Sequence, residues 1–508
     1  MSALRNLLLA VLGGVSLAMA FPDTGVWPLA FVGIGLLYLA IARARAWAAF
    51  GLGLACGLAF YLPYVVWARI AVGPVPWVAL SLACATFVGV VAVAFSHVRR
   101  APALADRPAV HPWVFAVMWV CGEILLGWGP FGGFPWGKLA FAVVDAPVVA
   151  LAAWGGTPLV SGVVAGVGAL LGAGVLAFGE RRLVFAVAAP LLAVVVVLAP
   201  LAVPLDGRAQ SGTLTVGWAQ GNVPNEGLDS FAQARRVTTN HVEATERLAQ
   251  QLTAPLDLMI WPENASDMDP RRDDQTATLV THAAQVVNAP LILGSIDLTP
   301  PLGRYNVSLV WLPTGESAGE YRKQRPAAFA EYIPIRSIAR HFSPEVDRVT
   351  RDVLPGTEPA VLPVWIASAQ RDVPVGTIIC FEVAYDAVVR DAVNNGAEFV
   401  AVQTNNATFG VTAESTQQLA MTRFRAIETG RMTLQVSTVG VSAVVTPAGR
   451  VLQRSELFTQ DFGVAEVPLR TSITPAVRWG GIIEWVALAC GGGMLVGAWV
   501  TRAGRKNQ

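Results

Sequence analysis

The residues best able to do chemistry include a cysteine. Five occur: Cys56, Cys84, Cys121, Cys380 and Cys490. Four lie in long apolar runs, where cysteine is a small buried hydrophobe. Cys380 stands in the polar part of the chain, near the end of Gly376-Thr-Ile-Ile-Cys-Phe-Glu382. It has no second thiol there to pair with. It is either a buried structural residue or a used nucleophile. A thiol attacks as thiolate, so a neighbour must take its proton. His241, His282 and His341 fall in helical or loop contexts, which does not indicate a Cys–His pair. No paired cysteines or HxxxH spacing points to a metal. No Gly-x-Ser-x-Gly turn occurs. A carboxylate base with a lysine for the developing oxyanion would serve instead. Leu258-Met-Ile-Trp-Pro-Glu263 is a second apolar run closed by a carboxylate. Tyr321-Arg-Lys323 lies between the two, eight residues before Glu331. Glu263 and Lys323 can fill those roles. On residue type alone they read equally well as solvated surface charges.

These groups need elements to hold them. Short runs rich in Val, Ile and Leu predict strands at 214–219, 256–261, 291–296, 307–312, 375–380, 399–404, 434–438 and 442–446. Amphipathic stretches predict helices at 230–253, 273–287, 386–394 and 416–429. Pro447-Ala-Gly449 reads as a hairpin turn. Strands alternating with helices argue a layered α/β domain, in which chemistry gathers where strands end.

The rest of the chain is of another kind. Of 508 residues, 54% are hydrophobic and 14% charged, against about a quarter charged in ordinary globular chains. That excludes a disordered chain, a fibrous repeat and a purely soluble enzyme. Net charge is +1, so nothing global points to nucleic acid. Residues 1–205 hold ten basic and five acidic side chains, and 206–480 hold 23 and 29. The expected organisation is a membrane domain at 1–205, an aqueous domain at 206–480, and a last span with a basic tail at 481–508. A bilayer core of about 30 Å needs roughly 20 apolar residues per helix. Eight candidate spans follow: 4–20, 26–42, 47–68, 75–95, 112–127, 158–178, 183–205 and 481–500.

Basic residues alternate between the loops. Arg43 and Arg45, then Arg99, Arg100 and Arg107, then Arg181 and Arg182, then Arg502, Arg505 and Lys506 fall on one side with Arg5. The positive-inside rule then puts both termini in the cytoplasm and 206–480 outside. Arg5, the following apolar run and Ala18-Met-Ala20 also fit a cleaved signal peptide, which leaves the other spans oriented alike. Glu123 lies inside the fifth span. It is either functional or paired with an arginine of a neighbouring span. The segment Trp128–Trp136 reads as re-entrant or interfacial. Gly132–Lys138 resembles half a phosphate-binding loop, but Leu139 stands where Ser or Thr is needed.

Glu263, Lys323 and Cys380 resemble the Glu–Lys–Cys triad of the nitrilase, or carbon–nitrogen hydrolase, superfamily. The blocks Trp261-Pro-Glu263, Tyr321-Arg-Lys323 and Cys380-Phe-Glu382 match in order and spacing. Such a domain set between the seventh and eighth spans resembles the bacterial apolipoprotein N-acyltransferase family. Further matches are Gln220-Gly-Asn222, Tyr305-Asn-Val-Ser308, Glu331-Tyr-Ile-Pro334, Asn406-Ala-Thr-Phe-Gly410, Arg423-Phe-Arg-Ala-Ile-Glu428 and Gly133-Phe-Pro-Trp136. The chain departs at Thr408, where the family usually has Trp, and at Thr438-Val-Gly440. It also departs near Asp229, where an aromatic is missing, and in 470–479. Those departures bear on substrate preference.

The resemblance implies an αββα sandwich outside the bacterial inner membrane. It implies Glu263 as general base and acid, Lys323 as oxyanion stabiliser and Cys380 as nucleophile. The Phe381 N–H would be a second oxyanion donor, and Glu331, Glu382 and Asn306 would be supporting residues. For Glu331 and Glu382 the bland alternative is an ordinary ion pair. The implied reaction moves the sn-1 acyl chain of a glycerophospholipid, through a thioester, to the N-terminal amine of an S-diacylglyceryl-cysteine apolipoprotein. No metal or other cofactor is implied. Two other readings stand beside it. One is a membrane-tethered amidase using water, against which the eight spans argue. The other is a transporter or scaffold carrying a dead enzyme domain, against which the intact triad argues. The Asn-x-Ser/Thr sequences at Asn264, Asn306 and Asn406 are read as coincidence.

Overall fold

A computed structural model describes residues 3–223 and 235–506. Asp229 and the first turn of the helix expected from 230 lie outside those residues. The chain divides into two units, one of residues 1–69, 74–204 and 479–508, the other of 70–73 and 205–478.

The first unit is helical. Among the described residues seven helices are long and apolar enough to cross a membrane: Ala3–Ala20, Ala46–Tyr64, Pro74–Val98, Pro108–Trp128, Pro147–Gly179, Leu183–Ala202 and Pro475–Ala503. The expected second span is the shorter helix Pro28–Ile41, 14 residues. Pro28 stands at its first position, where the missing N–H of proline would have no helical partner in any case. Small residues let the helices approach closely: a Cβ on Gly14 would lie 2.1 Å from the Cys56 carbonyl oxygen. Between the fourth and fifth long helices, and into the start of the fifth, the backbone is irregular, with buried 3-10 turns at Pro135–Gly137, Leu139–Val143 and Pro147–Leu151. Such backbone is stable at membrane depth only when packed against protein. Glu123 serves it. Its Oε1 accepts from Trp119 Nε1 at 2.8 Å and from the Leu139 N–H at 2.9 Å, rather than from an arginine of another span. The basic loops meet at one end. Arg99 and Arg100 donate to the Ala44 carbonyl at 3.0 and 2.5 Å, Arg43 to Glu180 at 2.5 Å, and Arg502 to the His97 carbonyl at 2.7 Å.

Among its described residues the second unit has twelve strands. They are β1 Thr213–Gln220, β2 Leu258–Ile260, β3 Leu291–Asp297, β4 Tyr305–Trp311, β5 Ser317–Arg322, β6 Val361–Ile366, β7 Arg371–Ile379, β8 Phe399–Thr404, β9 Thr433–Ser437, β10 Ala443–Val445, β11 Val451–Arg454 and β12 Asp461–Pro468. Two six-stranded sheets result, ordered β12-β1-β2-β3-β4-β5 and β11-β10-β9-β8-β7-β6. β1, β2 and β3 run parallel at the centre of one, and β7, β8 and β9 at the centre of the other. Parallel strands buried on both faces read as apolar runs, as β2 does throughout and β8 does over Phe399–Val402. Helices Arg236–Gln251 and Asp274–Val287 cover the first sheet, packing Leu248, Val280 and Ala284 on Met259, Leu291 and Leu309. Helices Asp386–Asn394 and Glu414–Thr429 cover the second. The two sheets are bridged by buried polar groups. Gln220 Oε1 accepts from Ser442 Oγ at 2.6 Å, and Gln403 Nε2 donates to the Trp261 carbonyl at 2.6 Å. The layers are therefore αββα.

Candidate active site

Each reactive group sits just beyond a strand. β2 ends at Ile260, and Trp261-Pro262 carries the chain to Glu263. Gly294 of β3 is needed here, because a Cβ on it would lie 2.6 Å from the Glu263 Cα. β5 ends at Arg322, and Lys323 follows. β7 ends at Ile379, one residue sooner than expected. Cys380 opens a 3-10 turn, Cys380–Ala384, with φ of +52°. A non-glycine residue rarely takes that left-handed conformation, and it turns the side chain out of the strand's alternation.

Glu263, Lys323 and Glu331 meet directly. Lys323 is 2% exposed and Glu263 4%. Lys323 Nζ donates to Glu263 Oε1 at 3.1 Å and to Glu331 Oε1 at 2.9 Å. Asn306, on β4, donates through Nδ2 to both carboxylates, at 2.7 and 3.0 Å. The Ala327 N–H holds the other Glu331 oxygen at 2.7 Å. Burial alone would lower the lysine pKa, but the two carboxylates outweigh it and hold the ammonium well above its usual range. Burial pushes Glu263 up, against the pull of Lys323. Glu331 is also pushed up by burial, yet Lys323 and its hydrogen bonds carry it below the usual carboxylate value. The Cys380 thiol responds to this same cluster. Burial and the Glu263 charge raise it well above an ordinary thiol, and Lys323 pulls it back.

Glu382 is not an ion pair. Its carboxylate accepts from Tyr321 Oη at 2.9 Å and from the N–H groups of Gln324 at 2.7 Å, Arg325 at 3.1 Å and Ile379 at 2.9 Å. The first three donors flank Lys323 and the fourth precedes Cys380. One buried carboxylate thus ties the lysine turn to the cysteine turn. Phe381 places its ring edge-on to Tyr385, centroids 5.4 Å apart.

Residue type alone did not single out Tyr321, Gly294, Asn406, Glu414 or Gln418. Gln418 Nε2 lies 3.6 Å from Cys380 Sγ. Its signal was its place in a helix whose positions 417–422 are all buried, polar ones included. The histidines stand elsewhere. His241 bonds the Val237 carbonyl inside its helix, His282 pairs with Glu246, and His341 meets the Ser337 carbonyl. Asn306 and Asn406 are buried, 2% and 1% exposed, so the folded chain does not offer them for glycosylation. Among the described residues no group of His, Cys, Asp and Glu has the arrangement of a metal site.

A buried carboxylate, a charge-locked lysine and a thiol on a strained turn form a constellation suited to acyl transfer. Residues 13–170 match the family described as apolipoprotein N-acyltransferase N-terminal domain, and residues 217–474 match carbon-nitrogen hydrolase. The apolipoprotein N-acyltransferase of Mycolicibacterium smegmatis is 37% identical over 515 residues, covering 96% of this chain and 84% of that one. The chain belongs to the apolipoprotein N-acyltransferase family. That of Azotobacter vinelandii is 30% identical over 499 residues, covering 93% of this chain and 91% of the other. An amidase from Nesterenkonia sp. is similar at 17% identity over 54% of this chain and 96% of that one, with a TM-score of 0.39. This family member is thus a membrane acyltransferase with a carbon–nitrogen hydrolase domain.

Proposed function

We propose that the enzyme moves the sn-1 acyl chain of a glycerophospholipid to the N-terminal amine of an S-diacylglyceryl-cysteine apolipoprotein, with Cys380 as the carrier. Glu263 takes the Cys380 proton, and the thiolate adds to the ester carbonyl. Lys323 is locked as a cation and offers three N–H donors. Two are engaged by Glu263 and Glu331, and the third serves the tetrahedral oxyanion with the Phe381 N–H. Each such donor is worth several kcal/mol when preorganised. The intermediate collapses with loss of the glycerol alkoxide, which takes the proton from Glu263. Lysophospholipid leaves and an acyl thioester stays on Cys380. The lipoprotein amine then attacks the thioester, Glu263 accepts the amine proton, and the thiolate departs. A base whose pKa is raised toward neutrality suits removal of a thiol proton. Glu331 and Asn306 orient Lys323 and Glu263, and Glu382 orients the two turns.

The observation that carries this reading is the buried cluster of Lys323, Glu263 and Glu331 acting on Cys380. Membrane attachment fits lipid-anchored substrates, since extracting an acyl chain into water costs about 0.8 kcal/mol per CH₂. The basic loops gathered at one end of the helices support an inner-membrane orientation with both termini cytoplasmic and 206–480 outside. Intact-mass analysis after incubation with phospholipid alone tests the reading. An acyl adduct on Cys380, discharged by an amine-bearing diacylglyceryl peptide, is the expected result. Discharge by water at the same rate would make the enzyme a hydrolase. No adduct under single-turnover conditions would overturn the thioester.

A further inference from the structure

The nucleophile has a second polar neighbourhood that the mechanism above does not use. Gln418, on helix Glu414–Thr429, is fully buried and sets Nε2 3.6 Å from Cys380 Sγ. Its Oε1 accepts from Asn406 Nδ2 at 2.9 Å, and the same nitrogen donates to Glu414 Oε2 at 2.6 Å. Asn406 Oδ1 accepts from Thr404 Oγ1 at 3.0 Å and Ser437 Oγ at 2.6 Å.

Amide oxygen and nitrogen are alike in shape, so their direction follows from the network around them. Here it is set from the backbone. The Gly440 N–H donates to Ser437 Oγ at 2.7 Å, so the hydroxyl proton goes on to Asn406. The Asn406 oxygen is then taken by two hydroxyls, and its two N–H bonds point to Glu414 and Gln418. Gln418 must turn its oxygen to Asn406 and its N–H to the sulfur. Gly440 permits the close approach, because a Cβ there would lie 2.2 Å from Asn406 Oδ1.

We propose that Gln418 donates to the Cys380 sulfur and favours thiolate over thiol, with Asn406, Ser437 and Gly440 as positioning residues that fix its direction. The proposal rests on Cys380 being the nucleophile. The titratable groups acting on that sulfur are the carboxyls of Glu263, Glu331 and Glu414 and the single ammonium of Lys323, of which Glu263, Glu331 and Lys323 carry the charge. A fixed N–H donor offsets part of that negative surplus. Burial carries Glu414 up to about 8, so near neutral pH it is mostly the uncharged acid and spares the sulfur a further charge.

The test is the rate of Cys380 alkylation by iodoacetamide in the full chain in lipid nanodiscs, read on the Cys380 peptide by mass across pH 6–10. Gln418→Leu removes the donor. Gln418→Glu keeps an acceptor for Asn406 but turns a carboxylate to the sulfur. Each should slow alkylation at pH 8 about tenfold and displace the profile about one unit upward, the loss of one hydrogen bond to a charged acceptor. A profile that superimposes on the parent's, in either variant that folds, overturns the proposal. If neither folds, Ser437→Ala decides, since it leaves Gln418 in place and only frees Asn406 to turn. It should move the profile the same way by a smaller amount, and no movement overturns the proposal. Failure of the nucleophile reading would show separately, as N-acylation surviving in Cys380→Ala.

Discussion

At the scale of single residues the proposed mechanism divides the work between a group that moves a proton and one that holds charge. Cys380→Ala should abolish both the acyl adduct and N-acylation while the protein still reaches the membrane. Cys380→Ser should be nearly as inactive, since an alcohol gives up its proton far less readily than a thiol. Adduct mass and acceptor labelling check both. Glu263→Gln keeps the shape but cannot accept a proton, so no thioester should accumulate near neutral pH. Raising the pH well past the ordinary thiol value of about 8.5 should partly rescue it, since burial still holds the Cys380 thiol above that value. The lost Glu263 charge had helped to hold the thiol up, which favours that rescue. Lys323→Met removes the cation and spares the base. It should slow adduct formation about 10²–10³-fold, with no rescue by alkali. Equal pH responses in the two variants would mean the roles are misassigned. Glu263 must be ionised to act, and its pKa is raised. Activity should therefore fall as pH drops through a midpoint above the usual glutamate value of about 4.3. Lys323 is held above its ordinary 10.5, so its deprotonation should not limit the alkaline side. A kcat/KM profile checks this, and the acid limb should vanish in Glu263→Gln.

At the scale of elements the site depends on two turns being tied together. Glu382→Ala would leave the Tyr321 hydroxyl and three backbone N–H groups without their acceptor. Leaving a buried donor without its acceptor costs about 1–3 kcal/mol. The variant should melt at clearly lower temperature and lose adduct formation at least about tenfold. Tyr321→Phe loses one of the four donors and should be mild in both assays. Equal effects of the two substitutions would show that Glu382 does not act as the common anchor. Legibility differed among these elements for a physical reason. β2, β7, β8 and β9 were readable because buried strands must be apolar. The structure adds β5, β6, β11 and β12. β5, Ser-Ala-Gly-Glu-Tyr-Arg, is an edge strand with polar side chains, so it carries no apolar run to find. β12 pairs with β1 along all eight residues, although Asp461 and Glu466 interrupt its pattern. Lys323 was found by its motif and not by its strand.

At the scale of the whole molecule the testable claim is orientation. Single cysteines placed within 206–480 should react with impermeant reagents on intact protoplasts, and one placed near Arg100 should not. Reversed labelling would overturn the orientation and the enzyme's access to exported lipoproteins. The residue order by itself determined that part of the chain is membrane-embedded, because hydrocarbon demands runs of about 20 apolar residues. It also placed the chain's one thiol outside the apolar runs at the end of a predicted strand, and the motifs around Glu263, Lys323 and Cys380 carried the family resemblance. The helix Pro28–Ile41 shows where such reading stops: an apolar run of 17 residues was legible, but a helix of 14 was what packing and Pro28 allowed. Only the tertiary structure decided that Glu382 anchors rather than pairs, that Glu123 caps an irregular segment, and that Gln418 turns its N–H to the sulfur. Each of those depends on hydrogen-bond direction between groups distant in sequence, which no spacing along the chain encodes.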